Sequence, residues 1–249
     1  IGPSTGAQMS RKSRRNRPPL QSQAGSDAPV SQTGRAGRRG ILIVAAVLLA
    51  LVAGLLLLRG EQSPDAQGGE PTRQAALASD HAPTLGDAGA KVHIVEFLDP
   101  ACETCAMFYP LVKRLLAENP DRLRVSIRHV PFHEGSDFAV RVLEASRQQD
   151  KYWQTLEALF ASQAQWAPHH TVRPELVLQA IAGVGLDPGQ LQNNMNSPAV
   201  AQRMQRDLDD AMALKVTKTP EYFVNGRPLP SFGAQQLLDL VAEELRTSD

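Results

Sequence analysis

Hydrophobic positions fall into three regimes along the chain. Through residue 40, large apolar side chains are almost absent and Ser, Gly, Gln, Pro and Arg dominate; residues 41–58 are then uninterruptedly apolar; beyond residue 80, apolar and polar positions alternate with short periods. The first stretch cannot bury enough surface to fold alone and reads as a disordered tail. The second, taken as a helix, is about 27 Å long, close to the hydrocarbon thickness of a bilayer. A buried helix of a soluble protein would show polar residues on one face, and this run has none. Residues 59–80 return to a polar, Gly-bearing composition and read as a linker.

Within 81–249 the periods set an order of elements. Residues 92–98 are β-branched and apolar, bounded by Gly89 and by Asp99-Pro100, as a central strand requires. Met107, Leu111 and Leu115, with Phe108 and Leu116, give helical spacing over 103–118, which Pro110 would kink. A second strand is expected at 123–130. Helical stretches follow at 136–149, 151–163, 173–184 and 197–214, the last with Val200, Met204, Leu208 and Met212 at four-residue spacing. Asn225-Gly226 favours a tight hairpin between 222–224 and 227–229, and an amphipathic helix closes the domain at 234–245. The result is an α/β domain whose strand, helix, strand order is interrupted by a helical insertion at about 134–214 before the hairpin and final helix.

Charge refines the first two regimes. The 249 residues sum to a formal charge of zero, yet eight Lys or Arg against Asp27 alone give +7 in residues 1–40, leaving −7 for the remainder. Positive charge on the N-terminal side of an apolar run keeps that side in the cytoplasm and sends the rest across the membrane. The reading is a single-pass anchor at 41–58, a basic cytoplasmic tail and an exported C-terminal domain; no nucleic-acid partner is required. A cleaved signal peptide would have a shorter leader and a shorter apolar core. The pairs Arg14-Arg15 and Arg38-Arg39 suit a twin-arginine export signal less well.

The chain has two cysteines, Cys102 and Cys105, placed between an expected strand and the start of an expected helix. A thiol at a helix N-terminus faces unpaired backbone N–H groups, which stabilise its thiolate and make Cys102 the nucleophile. One turn on, Cys105 can attack a mixed disulfide on Cys102 and resolve it. A structural disulfide over so short a ring would stabilise little. A zinc site would need further ligands at set spacing, and His81, His93, His129, His133, His169 and His170 do not supply it. Thiol-disulfide exchange needs no metal or organic cofactor. Glu103, directly beside Cys102, is expected to oppose the thiolate by like charge and weaken the pair as an oxidant. Glu96 is a carboxylate inside an apolar strand; such a group either shifts its pKa or faces water at an edge.

Leu85-Gly86-Asp87, then Val92-His93-Ile94-Val95-Glu96-Phe97, Asp99 and Cys102-Glu103-Thr104-Cys105 resemble the opening of DsbA-like thiol-disulfide oxidoreductases of the thioredoxin-like superfamily. Further likenesses follow in order: Val130-Pro131-Phe132 with Ser136, Ala139 and Ala145; Tyr152-Trp153 with Leu159-Phe160; and Val216-Thr217-Lys218-Thr219-Pro220 followed by Phe223-Val224-Asn225-Gly226-Arg227. The likeness covers about residues 84–245, and Glu103-Thr104 departs from the commoner inter-cysteine pairs.

The resemblance implies a thioredoxin-like fold with a helical insertion, a cis Thr219-Pro220 loop that receives substrate, and Glu96 as the buried acid exchanging protons with the resolving thiol. It also implies exchange with thiols of exported proteins, foremost disulfide formation, with a membrane redox partner regenerating the cysteines. The place implied is the bacterial inner membrane, with the catalytic domain periplasmic. A membrane-tethered reductase and, in a different class, a copper-handling or substrate-binding dithiol module without turnover stand as alternatives.

Overall fold

A computed structural model of the protein describes residues 70–248. The expected tail, the apolar run at 41–58 and the first part of the linker lie outside them. Among the described residues no helix is long and apolar enough to cross a membrane.

The sheet is built on β2 (Val92–Leu98), whose residues are nearly all buried. It pairs in parallel with β3 (Leu123–His129), and α2 (Glu103–Glu118) is the crossover between them. On the other side of β2 lies β4 (Glu221–Val224), antiparallel, followed by β5 (Arg227–Pro228). A short β1 (Thr84–Gly86) extends the far edge of β3, giving the order β1-β3-β2-β4-β5. Three exposed or half-buried residues have no period long enough to read, which is why β1 is not legible in the sequence.

Alternation along the central strands separates two cores. Ile94 and Leu98, with Leu123, Val125, Ile127, Tyr222 and Val224, face α2, the insertion and the closing helix α9 (Ala234–Thr247). Val95, Phe97 and Phe223 face the opposite way, onto Leu77, Ala211 and Val216. The insertion comprises α3 (Ser136–Ser146), α4 (Tyr152–Ala161), α5 (Gln163–Trp166), α6 (Pro174–Ala180), α7 (Pro188–Met195) and α8 (Pro198–Ala213). Ser197 caps α8, accepting from Val200 N, with Pro198 next to it. Pro110 sits inside α2, and the helix runs through it to Glu118.

Two expectations are corrected. The stretch read as linker holds α1 (Glu70–Leu77), because Ala76 and Leu77 are buried and make the helix part of the domain. In α8 the buried face is Val200, Met204, Asp207 and Ala211, while Met212 is 69% exposed. A strict four-residue step drifts about 40° around a 3.6-residue helix each time, so Met212 has turned outward. Asp207 takes the inward place because Arg128 awaits it. The fully buried Arg128 pairs with Asp207 and Asp210 and donates to Ala76 O at 2.9 Å, while Asp207 Oδ1 lies 2.8 Å from His81 Nε2 and its Oδ2 accepts from His129 N at 2.8 Å. The hairpin forms at Asn225-Gly226, both at positive φ (46° and 82°), with Asn225 Oδ1 accepting from His93 N at 2.9 Å.

Candidate active site

The site begins where β2 ends. Asp99 is fully buried and spends one carboxylate oxygen on its own loop, accepting from Ala101 N at 2.8 Å. The other oxygen collects Phe132 N at 2.7 Å, His133 N at 2.9 Å, His133 Nδ1 at 2.8 Å and Ser136 Oγ at 3.0 Å. One side chain thus ties the end of β2 to the turn that enters α3. Cys102 N donates to Asp99 O at 3.0 Å, which sets Cys102 at the N-cap of α2 in extended conformation.

Cys102 is 5% exposed and Cys105 is fully buried; both are free thiols. Cys102 Sγ lies 3.3 Å from the carbonyl oxygen of Thr219, and the Thr219-Pro220 bond is cis. The structure therefore brings the two cysteines and the Thr219-Pro220 loop together. The Cys105 thiol donates to Cys102, and this bond, with the Thr219 side chain and the N–H groups of Cys105 and Thr104, outweighs burial and pulls Cys102 down to about 5. Cys105 moves the other way. Burial, the bond it donates and the charges of Glu96 and Cys102 hold it well above the ordinary thiol value.

Glu96 is wholly buried on the face of β2 that turns toward α2, not at a wet edge. Its Oε1 accepts the Tyr222 hydroxyl at 3.1 Å, and its Oε2 has no partner among the described residues. Burial pushes its pKa up to about 8; the Tyr222 bond opposes the rise and the Cys102 charge adds to it. The acid is mostly neutral at pH 7 and carries a proton within the cysteine core.

Glu103, expected to oppose the Cys102 thiolate, stands at the start of α2. Its side chain is exposed to water, which screens its charge, and the largest influences on Cys102 are the Cys105 bond, burial and the Thr219 side chain. Lys218 lies over the Phe232 ring, 6.0 Å from its centroid. Asp99 and Tyr222 were not legible as site residues. Asp99 had one signal, a carboxylate directly after an apolar strand; Tyr222 had none, since an aromatic in a strand reads as core.

A family model described as thioredoxin matches residues 78–241, and the chain belongs to the thioredoxin family. Among solved structures it is similar to a thioredoxin-like oxidoreductase from Silicibacter pomeroyi, 31% identical with a TM-score of 0.61, over 71% of this chain and 99% of that one. Disulfide bond formation protein D of Bacillus subtilis is 26% identical over 195 residues, 75% of this chain and 84% of that protein. The chain is also 34% identical over 144 residues to the Na(+)/H(+) antiporter NhaA of Herminiimonas arsenicoxydans, covering 58% of this chain but 22% of the antiporter. It thus spans about a fifth of the length of that relative.

Proposed function

We propose that the protein is an extracytoplasmic thiol-disulfide oxidoreductase that forms disulfides in exported proteins through Cys102 and Cys105. The observation that carries this reading is the divergence of the two thiols, with Cys102 pulled down to about 5 at the N-cap of α2 and Cys105 pushed far up one turn later. A nucleophile and a leaving group of opposite character are what directional exchange requires.

In the forward direction the pair starts as a disulfide. A substrate thiolate attacks Cys102 Sγ, the Cys102-Cys105 bond breaks, and the electron pair leaves on Cys105. Glu96 supplies the proton that Cys105, unable to remain a thiolate in its buried place, must take up. A second substrate thiolate attacks the substrate sulfur of the mixed disulfide and releases Cys102 as thiolate. Two electrons remain on the enzyme and pass to a membrane redox partner. Substrate backbone is assigned to the Thr219-Pro220 loop, a reading supported by the carbonyl of Thr219 lying 3.3 Å from Cys102 Sγ.

The low pKa of Cys102 supports the oxidising direction. Stabilising Cys102 as an anion stabilises the reduced enzyme and makes its disulfide a stronger oxidant. Residues 1–40 are assigned to the cytoplasm, 41–58 to a single membrane span and the described domain to the periplasmic side. The likeness to a protein named for disulfide bond formation and to segments of Na(+)/H(+) antiporters supports this setting.

Equilibration of the full chain with glutathione buffers tests the proposal. A reduction potential near about −120 mV is expected; a value near about −270 mV would make the protein a reductase. Exchange is expected to vanish in Cys102→Ser and to stall as a mixed disulfide in Cys105→Ser, detected as added mass. Absence of defined exchange in the unaltered protein would reject both directions.

A further inference from the structure

The carbonyls of Pro100, Ala101 and Cys102 follow one another along the loop into α2, and each meets a side chain from the helical insertion. Gln163, the first residue of α5 and 7% exposed, donates from Nε2 to Pro100 O at 2.8 Å and to Cys102 O at 3.0 Å. His170 Nδ1 lies 3.3 Å from Ala101 O. Its ring stacks on that of His133 at 4.7 Å between centroids and 23° between planes, and His133 is held by Asp99.

We propose that Gln163, with His170, is the positioning residue through which the helical insertion sets the reactivity of Cys102. The proposal rests on the thiol-disulfide reading of the site and adds to it a control lying outside the sheet and outside α2.

A buried amide is costly unless its polar atoms are used, and Gln163 spends both N–H bonds of its nitrogen on the nucleophile loop. Cys102 O also accepts from Ala106 N at 3.2 Å, the first bond of α2. With two donors on that oxygen, the Cys102 peptide is held in line with the helix, and Sγ stays where the N–H groups of Thr104 and Cys105 reach it. The amide also draws the negative ends of two carbonyl dipoles toward the insertion, away from the developing thiolate. With the bonds to Gln163 gone, Pro100 O keeps no donor among the described residues and Cys102 O keeps only its helical one. The loop relaxes, and the thiolate loses part of its support.

The test is the thiolate absorbance of Cys102 against pH in the reduced full chain, for the unaltered protein, Gln163→Met and His170→Phe. Methionine fills the glutamine volume without donors, and phenylalanine keeps the stack on His133 without the bond to Ala101. The Cys102 pKa is expected to rise by about one unit in Gln163→Met, a tenfold loss of thiolate at pH values below it. His170→Phe is expected to shift it the same way by less, and both variants should be weaker oxidants against glutathione. An unchanged pKa in a folded Gln163→Met overturns the proposal, even if its melting temperature falls, since that is the mark of a packing role alone. If Gln163→Met fails to fold, His170→Phe decides by the same measure. Because the titration needs no turnover, it remains decisive even if the unaltered protein shows no defined exchange, which would reject the proposed function separately.

Discussion

Tyr222 and Glu96 stand opposite each other in the β4-β2 register, and the tyrosine hydroxyl donates to the carboxyl at 3.1 Å. Tyr222 comes from the last hairpin and Glu96 from the first central strand. Their bond places a neutral acid, with one oxygen still unpartnered among the described residues, inside the core that holds both cysteines.

The raised pKa of Glu96 makes stability depend on pH. Its folded value is about 8 against an ordinary 4.5, so between these limits the folded state keeps a proton that the unfolded state has released. Stability therefore falls as pH rises through this window, by on the order of 5 kcal/mol in all. In the oxidised protein, where no thiolate contributes, urea unfolding at pH 5 and pH 8 should show this loss in the unaltered chain and little of it in Glu96→Gln. Equal losses in both would place the dependence elsewhere.

Cys102 works with the opposite sign. Its folded value is about 5 against an ordinary 9.0, so the folded reduced protein gives up its proton first. Reduction should add stability that is absent below about pH 5 and grows as pH rises toward 9. Paired melting curves of the reduced and oxidised forms test this, the difference between them cancelling most of the Glu96 contribution. A gap independent of pH over that window would contradict the depressed thiol.

Glu103→Gln should leave the Cys102 pKa within about 0.3 unit, because an exposed carboxylate acts through water. The measurement is thiolate absorbance against pH. A fall of a full unit would restore Glu103 as a determinant of the redox pair.

Asp207→Ala should destabilise the domain by about 3–5 kcal/mol, since it leaves the fully buried Arg128 with one carboxylate partner fewer. His129 N loses its acceptor as well. Denaturant unfolding reads the loss, and the Cys102 pKa should not follow it, because the partners of Asp207 are Arg128, His81 and His129 N rather than the Pro100–Cys102 loop.

The elements that period and punctuation can mark were legible: β2 and α2 at their observed limits, the end of β3 within a residue, the Asn225-Gly226 turn and the closing helix. The cysteine pair and the Thr219-Pro220 loop were legible because strand-to-helix placement and a family likeness converge on them. What escaped lies in side chains whose partners are distant in sequence. Asp99 finds His133 and Ser136, Asp207 finds Arg128, Gln163 finds Pro100, and no local pattern announces such meetings. Glu103 shows the other limit, since adjacency to Cys102 is legible in the sequence while the exposure that lets water screen it is not.

The place of β2 between β3 and β4 also orders the birth of the site. β3 follows β2 after a single helix, whereas β4 arrives only once the whole insertion has been made. As synthesis runs from the N-terminus, Cys102 and Cys105 exist well before Thr219, Pro220 and Tyr222. Until the last hairpin docks, Cys102 has no Thr219 beside it and Glu96 lies on an open strand edge, without the bond or the burial that sets its proton affinity. The nascent chain has Cys102 with Cys105 and the N–H groups of α2 beside it, and the contacts from Thr219 and Tyr222 are added last, when the final strand closes the sheet.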